Sequence, residues 1–196
     1  MIKKIFLTLC ISTLIFSTCF AKAKVKPSTQ NYTLAVLPVV DTSGLDPRIL
    51  KAVSNAIQDE LKKKYPPKKT QVKFVDNTAI NEVMSTQPFE NSEMPTLQEL
   101  VKIGNALGAD RVMYIGMVSA NDKESGFMVI VGSGTIRANV TMKQKFVDVP
   151  NTKYIYNANT LAKGASNSVN FWRIGSPSKI RAVKEGVTNA MKEFLA

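Results

Sequence analysis

Residues Tyr32 to Tyr65 read YTLAVLPVVDTSGLDPRILKAVSNAIQDELKKKY, and this stretch decides the fold class. Leu34 to Val40 is nearly all apolar and rich in β-branched residues, the composition of a strand buried on both faces. Asp41, Thr42, Ser43 and Gly44 end it with turn chemistry. Asp46 then stands as a helix cap with Pro47 at the first helical position, where a missing N–H costs nothing. Ile49, Val53, Ala56, Ile57 and Leu61 recur at helical spacing, opposite Lys51, Asn55, Gln58, Asp59 and Lys62. Pro66-Pro67 stops the helix. Strand, turn and helix together predict an α/β domain and name no reaction.

Upstream, residues 1–21 have the form of a secretory signal peptide. Lys3 and Lys4 begin it, Ile5 to Phe20 is apolar, and Ala21-Lys22-Ala23 supplies small residues for cleavage. The apolar run is shorter than the roughly 20 residues a membrane span needs. Cleavage after Ala21 and cleavage after Ala23 read equally well, and lipidation at Cys19 is the alternative, although Phe16-Ser17-Thr18 matches lipoprotein processing poorly. Residues 22–31 are polar and read as a flexible leader, leaving 32–196 as one domain in the periplasm or cell envelope.

Both cysteines, Cys10 and Cys19, fall in the signal segment. The exported chain therefore has no disulfide, thiol nucleophile or cysteine-ligated metal to offer. The whole chain carries a formal charge of +11, and about +8 or +9 stays after removal of the leading lysines. In an exported protein that charge points toward anionic lipid or wall polymer more than toward nucleic acid.

Downstream of the double proline, Gln71 to Val75 reads as a short strand and Asp76 or Asn77 as the cap of a short helix with Ile80, Val83 and Met84 on one face. Thr96 and Glu99 have capping-box spacing ahead of a helix bearing Leu97, Leu100, Val101 and Leu107, which ends at Gly108. Arg111 to Ala120 is apolar on both phases and predicts a central strand. Asn121 to Ser125 reads as a polar turn. Gly126 to Asp148 is extended, with strict alternation between Ile136, Ala138, Val140, Met142 and Arg137, Asn139, Thr141, Lys143. Pro150 to Lys153 turns the chain into a strand over Tyr154 to Ala162, so a β meander is expected. Gly164 to Ser176 reads as a loop, and Ser176-Pro177 opens a final helix along Ile180, Val183, Val187, Met191 and Phe194.

This order resembles the TolB amino-terminal-domain and CsgG-like envelope families. AVLPVVDTSGLDPRILKAVSNAIQDEL is similar to their opening, with Leu37-Pro38, Asp41, Ser43 and Gly44 on the pattern. IGNALGADRVMYIG resembles a second element through Leu107, Gly108, Ala109, Asp110 and Gly116. KQKFVDVPNTK resembles a third, with Asp148 in place and the usual turn glycine replaced at Asn151 or Thr152. The resemblance implies a mixed, largely antiparallel sheet packed by helices and an envelope setting. Relatives of that kind include a curli secretion channel and lipoprotein activators of penicillin-binding proteins, and most are non-enzymatic. It carries over no functional residue. Phe127 to Val131 is one short apolar run without a counterpart, unlike the paired lipid-facing strands of a channel.

The sequence has no histidine, which removes the usual general base and the commonest metal ligand. It has no G-x-S-x-G elbow and no phosphate-binding P-loop, and its carboxylates are scattered without accompanying sugar-stacking aromatics. No catalytic residue, metal ligand or cofactor is expected. Two partner-binding candidates stand out. Lys62, Lys63, Lys64, Lys68, Lys69 and Lys73 form a dense basic cluster, although lysines in a last helical turn also answer the helix dipole. Phe171, Trp172 and Arg173 read either as core under the last helix or as an exposed anchor. The function expected is a non-catalytic envelope accessory module that binds another envelope protein. The alternatives are a binder of anionic wall polymer or lipid through the lysines, and a subunit of an oligomeric secretion assembly.

Overall fold

The computed structural model describes residues 31–67, 69–127, 133–169 and 178–196. They form one α/β domain in which a mixed six-stranded sheet is packed by four helices. The strands are β1 (Tyr32–Val36), β2 (Val40–Asp41), β3 (Val72–Phe74), β4 (Arg111–Phe127), β5 (Ser133–Asp148) and β6 (Lys153–Val169). The helices are α1 (Pro47–Lys64), α2 (Asn77–Thr86), α3 (Leu97–Ala106) and α4 (Lys179–Phe194). The sheet order is β3-β1-β4-β5-β6, with β2 paired to β4. Strands β3, β1 and β4 run parallel, and β4, β5 and β6 form an antiparallel meander.

Local chemistry sets the helix starts. Asp46 accepts the Arg48 N–H at 2.8 Å with Pro47 at the first helical position. Asp76 caps α2 through the Thr78 N–H. Thr96 and Glu99 form a reciprocal capping box on α3. Gly44 and Gly108 have φ of 67° and 59°, a region that penalises any Cβ, so both turns need glycine. Pro38 splits the expected long first strand: β1 stops at Val36, and pairing resumes only at Val40.

Two apolar layers sandwich the parallel half of the sheet. On one face Leu34, Met113, Ile115 and Met117 pack with Ile49, Val53, Ile57 and Leu61 of α1 and Val183, Val187 and Met191 of α4. On the other face Ala35, Leu37, Val112 and Tyr114 pack with Ile80 of α2 and Leu100 and Ile103 of α3. The meander is different. Its inner positions Ile136, Ala138, Val140 and Met142 are buried under α4, whereas Arg137 is exposed and Asn139, Thr141 and Lys143 are half-buried on the outer face. One polar group sits in the inner layer. Gln144 is fully buried, accepts from the Thr160 hydroxyl at 2.8 Å and donates to the Ala190 carbonyl of α4.

Two expectations are corrected. Asn121 to Ser125 is not a turn but part of β4, paired residue for residue with Thr135 to Asn139. Its turn-forming residues are held in register by a long partner strand, the pairing continuing to Phe127 and Ser133. Gly164 does not begin a loop either, because β6 continues to Val169. An added Cβ at Gly164 would lie 2.0 Å from the Ala182 carbonyl oxygen and 2.3 Å from the Gly186 nitrogen. The glycine is there so that α4 can lie directly on the strand.

Candidate binding surfaces

The carboxyl ends of parallel strands are where open α/β sheets place ligands. Here β1 and β3 end beside the flank of α1 and frame an open groove of about 720 Å³. Its wall is apolar, formed by Val36, Leu37, Pro38 and Val39 beyond β1, Leu50, Ile57 and Leu61 of α1, and Phe74 and Val75 of β3 and its exit. Its rim is polar, with Ser54, Gln58 and Lys62 on α1 facing Asp76, Asn77 and Asn81. The groove exists because β3 is an edge strand of only three residues, too short to cover α1. Phe74 keeps 46% of its surface exposed at the mouth and stands edge-on to Tyr65 with ring centroids 6.2 Å apart.

The rim residues have structural work as well. Asp76, the one carboxylate among the lining residues, caps α2. Nearby, Asp41 accepts from the Ser43 N–H and hydroxyl and from the Leu45 N–H. Partial desolvation raises its pKa, but these hydrogen bonds outweigh it and hold the carboxyl below the ordinary range. Both oxygens are thus committed to the turn.

The lysines of the cluster make different contacts. Lys62, Lys63, Lys64, Lys69 and Lys73 are exposed, and Lys68 lies outside the described residues. Lys62 lines the groove. Lys63 pairs with Glu60 at 2.6 Å, which serves a carboxylate buried on the core side of α1. Lys64 donates to the Leu195 carbonyl and ties α1 to the end of α4. Lys73 alternates with Phe74 along β3, which sets it on the sheet face away from α1. Phe171, Trp172 and Arg173 lie outside the described residues, as does the Ser176-Pro177 helix start.

The outer face of the meander holds a second basic group. Lys145 is buried, donates to the Pro95 carbonyl at 2.6 Å and lies over the Tyr154 ring; burial pushes its pKa down. Lys143 donates to the Glu93 carbonyl, and the Tyr114 hydroxyl to the Ser92 carbonyl at 2.6 Å. These three side chains fasten the segment between α2 and α3 to the sheet. Beyond them, Arg137 and Lys163 are exposed. Among the described residues no three His, Cys, Asp or Glu side chains converge as a metal site, and no helix is long and apolar enough to cross a membrane.

No family model matches the sequence, and no curated protein matches it. Among solved structures, the chain is similar to lipoprotein GNA1162 of Neisseria meningitidis at 14% identity, over 83% of this chain and 96% of that one, with a TM-score of 0.42. It is similar to the hypothetical protein CT253 of Chlamydia trachomatis at 16% identity, over 85% and 94%, with a TM-score of 0.48. It is also similar to the LpoB C-terminal domain of Escherichia coli at 13% identity, over 68% and 83%, with a TM-score of 0.39. At this identity and overlap the likenesses assign no role, and no family model supports the resemblance to the TolB and CsgG-like families.

Proposed function

We propose that this chain is an exported, non-catalytic accessory module of the cell envelope that binds another envelope protein in the groove between α1 and β3. The groove carries the proposal. Its wall is apolar and its rim polar, the division found in protein-binding sites, and a half-exposed aromatic stands at its mouth. An apolar anchor from a partner would cover Phe74 and the Leu50–Leu61 flank. Gln58, Lys62 and Asn81 would fix its orientation at the rim. Acid–base chemistry has little support there, because the single lining carboxylate caps a helix and the sequence has no histidine. The basic start, apolar run and small-residue cleavage site of residues 1–21 support export.

A photo-crosslinking side chain at Gln58, on the rim, tests this against one at Gln98, exposed on α3. In the native envelope the Gln58 position should give one discrete adduct with a second protein, and Gln98 none. Phe74→Ala should weaken the adduct. Burying a whole phenylalanine contributes about 1.5–3 kcal/mol and Phe74 has 46% of its surface left to cover, so affinity should fall by roughly threefold to tenfold. Equal labelling from the two positions would remove the groove as the contact.

A further inference from the structure

Strand β6 closes the sheet order, so one of its edges meets no other strand among the described residues. Helix α4 caps part of that edge. Glu185 accepts the Ala165 N–H at 2.9 Å, and Asn189 donates to the Lys163 carbonyl at 2.9 Å. An acceptor and a donor aimed at a strand edge are what a neighbouring strand would supply. These two bonds also fix the alternation. In an antiparallel ladder both main-chain groups of a residue point the same way, and the pairing of β6 with β5 is unbroken from Tyr156 to Val169. Asn157, Asn159 and Leu161 therefore point N–H and C=O outward, as Lys163 and Ala165 do. Among the described residues these outward groups of Asn157, Asn159 and Leu161 have no hydrogen-bond partner.

Open edges invite pairing, and folds blunt them with bulges, charges or a covering element. Here the blunting is at the two ends only. Val147 pairs with Tyr154 and Phe146 with Tyr156, which leaves Ile155 as the extra residue of a β-bulge. At the other end Gly164 brings α4 level with the edge, within reach of Glu185 and Asn189. Between them, the Tyr156 ring stands against Phe194 and spaces the strand from the helix. The window from Asn157 to Leu161 is about 17 Å long. A strip that short and one strand wide buries far less than the roughly 800 Å² per partner of a stable dimer, so a second copy of this chain is a poor occupant. One extended segment fits it. Leu161, 65% exposed on the outer face, calls for an apolar residue opposite, and Asn159 and Asn157 for polar ones. The residues between must be small, because their side chains fall on the α4 side.

We propose that the edge of β6 from Asn157 to Leu161 takes an extended peptide segment of a partner protein as an added antiparallel strand. The site shares no residue with the groove between α1 and β3. The probe is the capped peptide Val-Ala-Thr-Ala-Thr, whose valine would pair with Leu161 and whose threonines would pair with Asn159 and Asn157. Amide exchange of the full exported chain, read by NMR, tests it. With peptide present, the Asn157, Asn159 and Leu161 amides should exchange several-fold more slowly, and those of Ala158 and Thr160, which face β5, at unchanged rates. N-methylation of both threonines removes donors that face β6 and should abolish the effect. N-methylation of both alanines, whose N–H groups face away, should preserve it. Asn159→Pro removes an outward N–H that β5 does not use, so the variant should fold and bind about tenfold more weakly. Should that variant unfold, the two methylated peptides still decide. Phe74→Ala in the groove should bind the peptide as the parent does. No protection by the peptide, equal action of the two methylated peptides, or protection of the same amides by self-association without peptide would each overturn the proposal.

Discussion

The two halves of the sheet solve the same problem in different ways. In the parallel half, β1 and the first residues of β4 are covered on both faces, and Val112 to Met117 is buried without a break. In the meander, helix α4 covers one face, and the segment between α2 and α3 covers the other only at Lys143 and Lys145, so the strands alternate. Strand β4 belongs to both halves. Its hydropathy changes from RVMYIGM to VSANDKES at the β-bulge between Met117 and Ser119. Uniform burial spreads the stability of the parallel half over many side chains. The meander instead depends on how closely a single helix can approach it.

That contrast predicts the largest effect at Gly164. Its missing Cβ is replaced by backbone atoms of α4, which no rotamer change can move. Gly164→Ala must shift the whole helix and should cost about 3 kcal/mol or more. The counterpart in the parallel half is Gly104 of α3, where an added Cβ would meet Val149 Cγ2 at 2.5 Å and Val112 Cγ2 at 2.8 Å. Those are side chains that can rotate, and alanine regains helix propensity of about 1 kcal/mol. Gly104→Ala should therefore cost clearly less, about 1 kcal/mol. Urea unfolding of both variants decides the matter. If Gly104→Ala proved the more damaging, the meander would not depend on close helix approach.

A smaller effect is expected where the halves join. Asp148 is buried, pairs with Arg111 and accepts from the Asn151 backbone and side-chain amides. The Arg111 hydrogen bond, reinforced by Asn151 against the cost of burial, lowers its pKa from 3.8 to about 2. A carboxyl depressed in the folded state contributes stability above its unfolded pKa, and that contribution is lost as pH falls toward the folded value. Asp148→Asn should be less stable than the parent by about 2 kcal/mol at pH 7. The difference should narrow below about pH 3.8 and disappear near pH 2. Thermal unfolding across that range measures it; a constant difference would show that packing, not charge, holds Asp148 in place.

The sequence was most informative where the physics is local. The Asp46-Pro47 cap, the Thr96–Glu99 capping box, the α1 core face and the alternation of β5 all depend on residues within a few positions of each other, and all appear in the structure. Asn121 to Ser125 misled because its turn-forming residues are overridden by pairing with residues ten or more positions along the chain. Gly164 misled because a glycine required by a neighbouring helix looks like a glycine required by a turn. The groove had almost no local signature. It arises from β3 being too short to cover α1, and the one hint was Leu50 and Phe74, apolar residues outside the main core stripe. Within the lysine run, conspicuous as a string of letters, Lys63 and Lys64 have internal partners that no local pattern announces.

The smallest effect should be a gain. The turn between β5 and β6 contains Thr152, whose φ of 48° makes it the one non-glycine residue with positive φ among those described. A β-branched side chain is poorly suited to that region, and a left-handed conformation costs an L-residue roughly 1–2 kcal/mol. Thr152 is exposed and uses its N–H to reach the Val149 carbonyl at 3.1 Å, a bond that glycine preserves. Thr152→Gly removes the strain but gives the unfolded chain more freedom, so the net gain should be about 0.5–1 kcal/mol. Asn151→Gly is the internal control. Asn151 supplies two hydrogen bonds to Asp148, and only one comes from its backbone, so this change should destabilise. Chemical unfolding of the two variants should therefore move in opposite directions. If Thr152→Gly were neutral or harmful, the turn would owe its shape to the Asp148–Asn151 bonds alone, and the strain assigned to Thr152 would be absent.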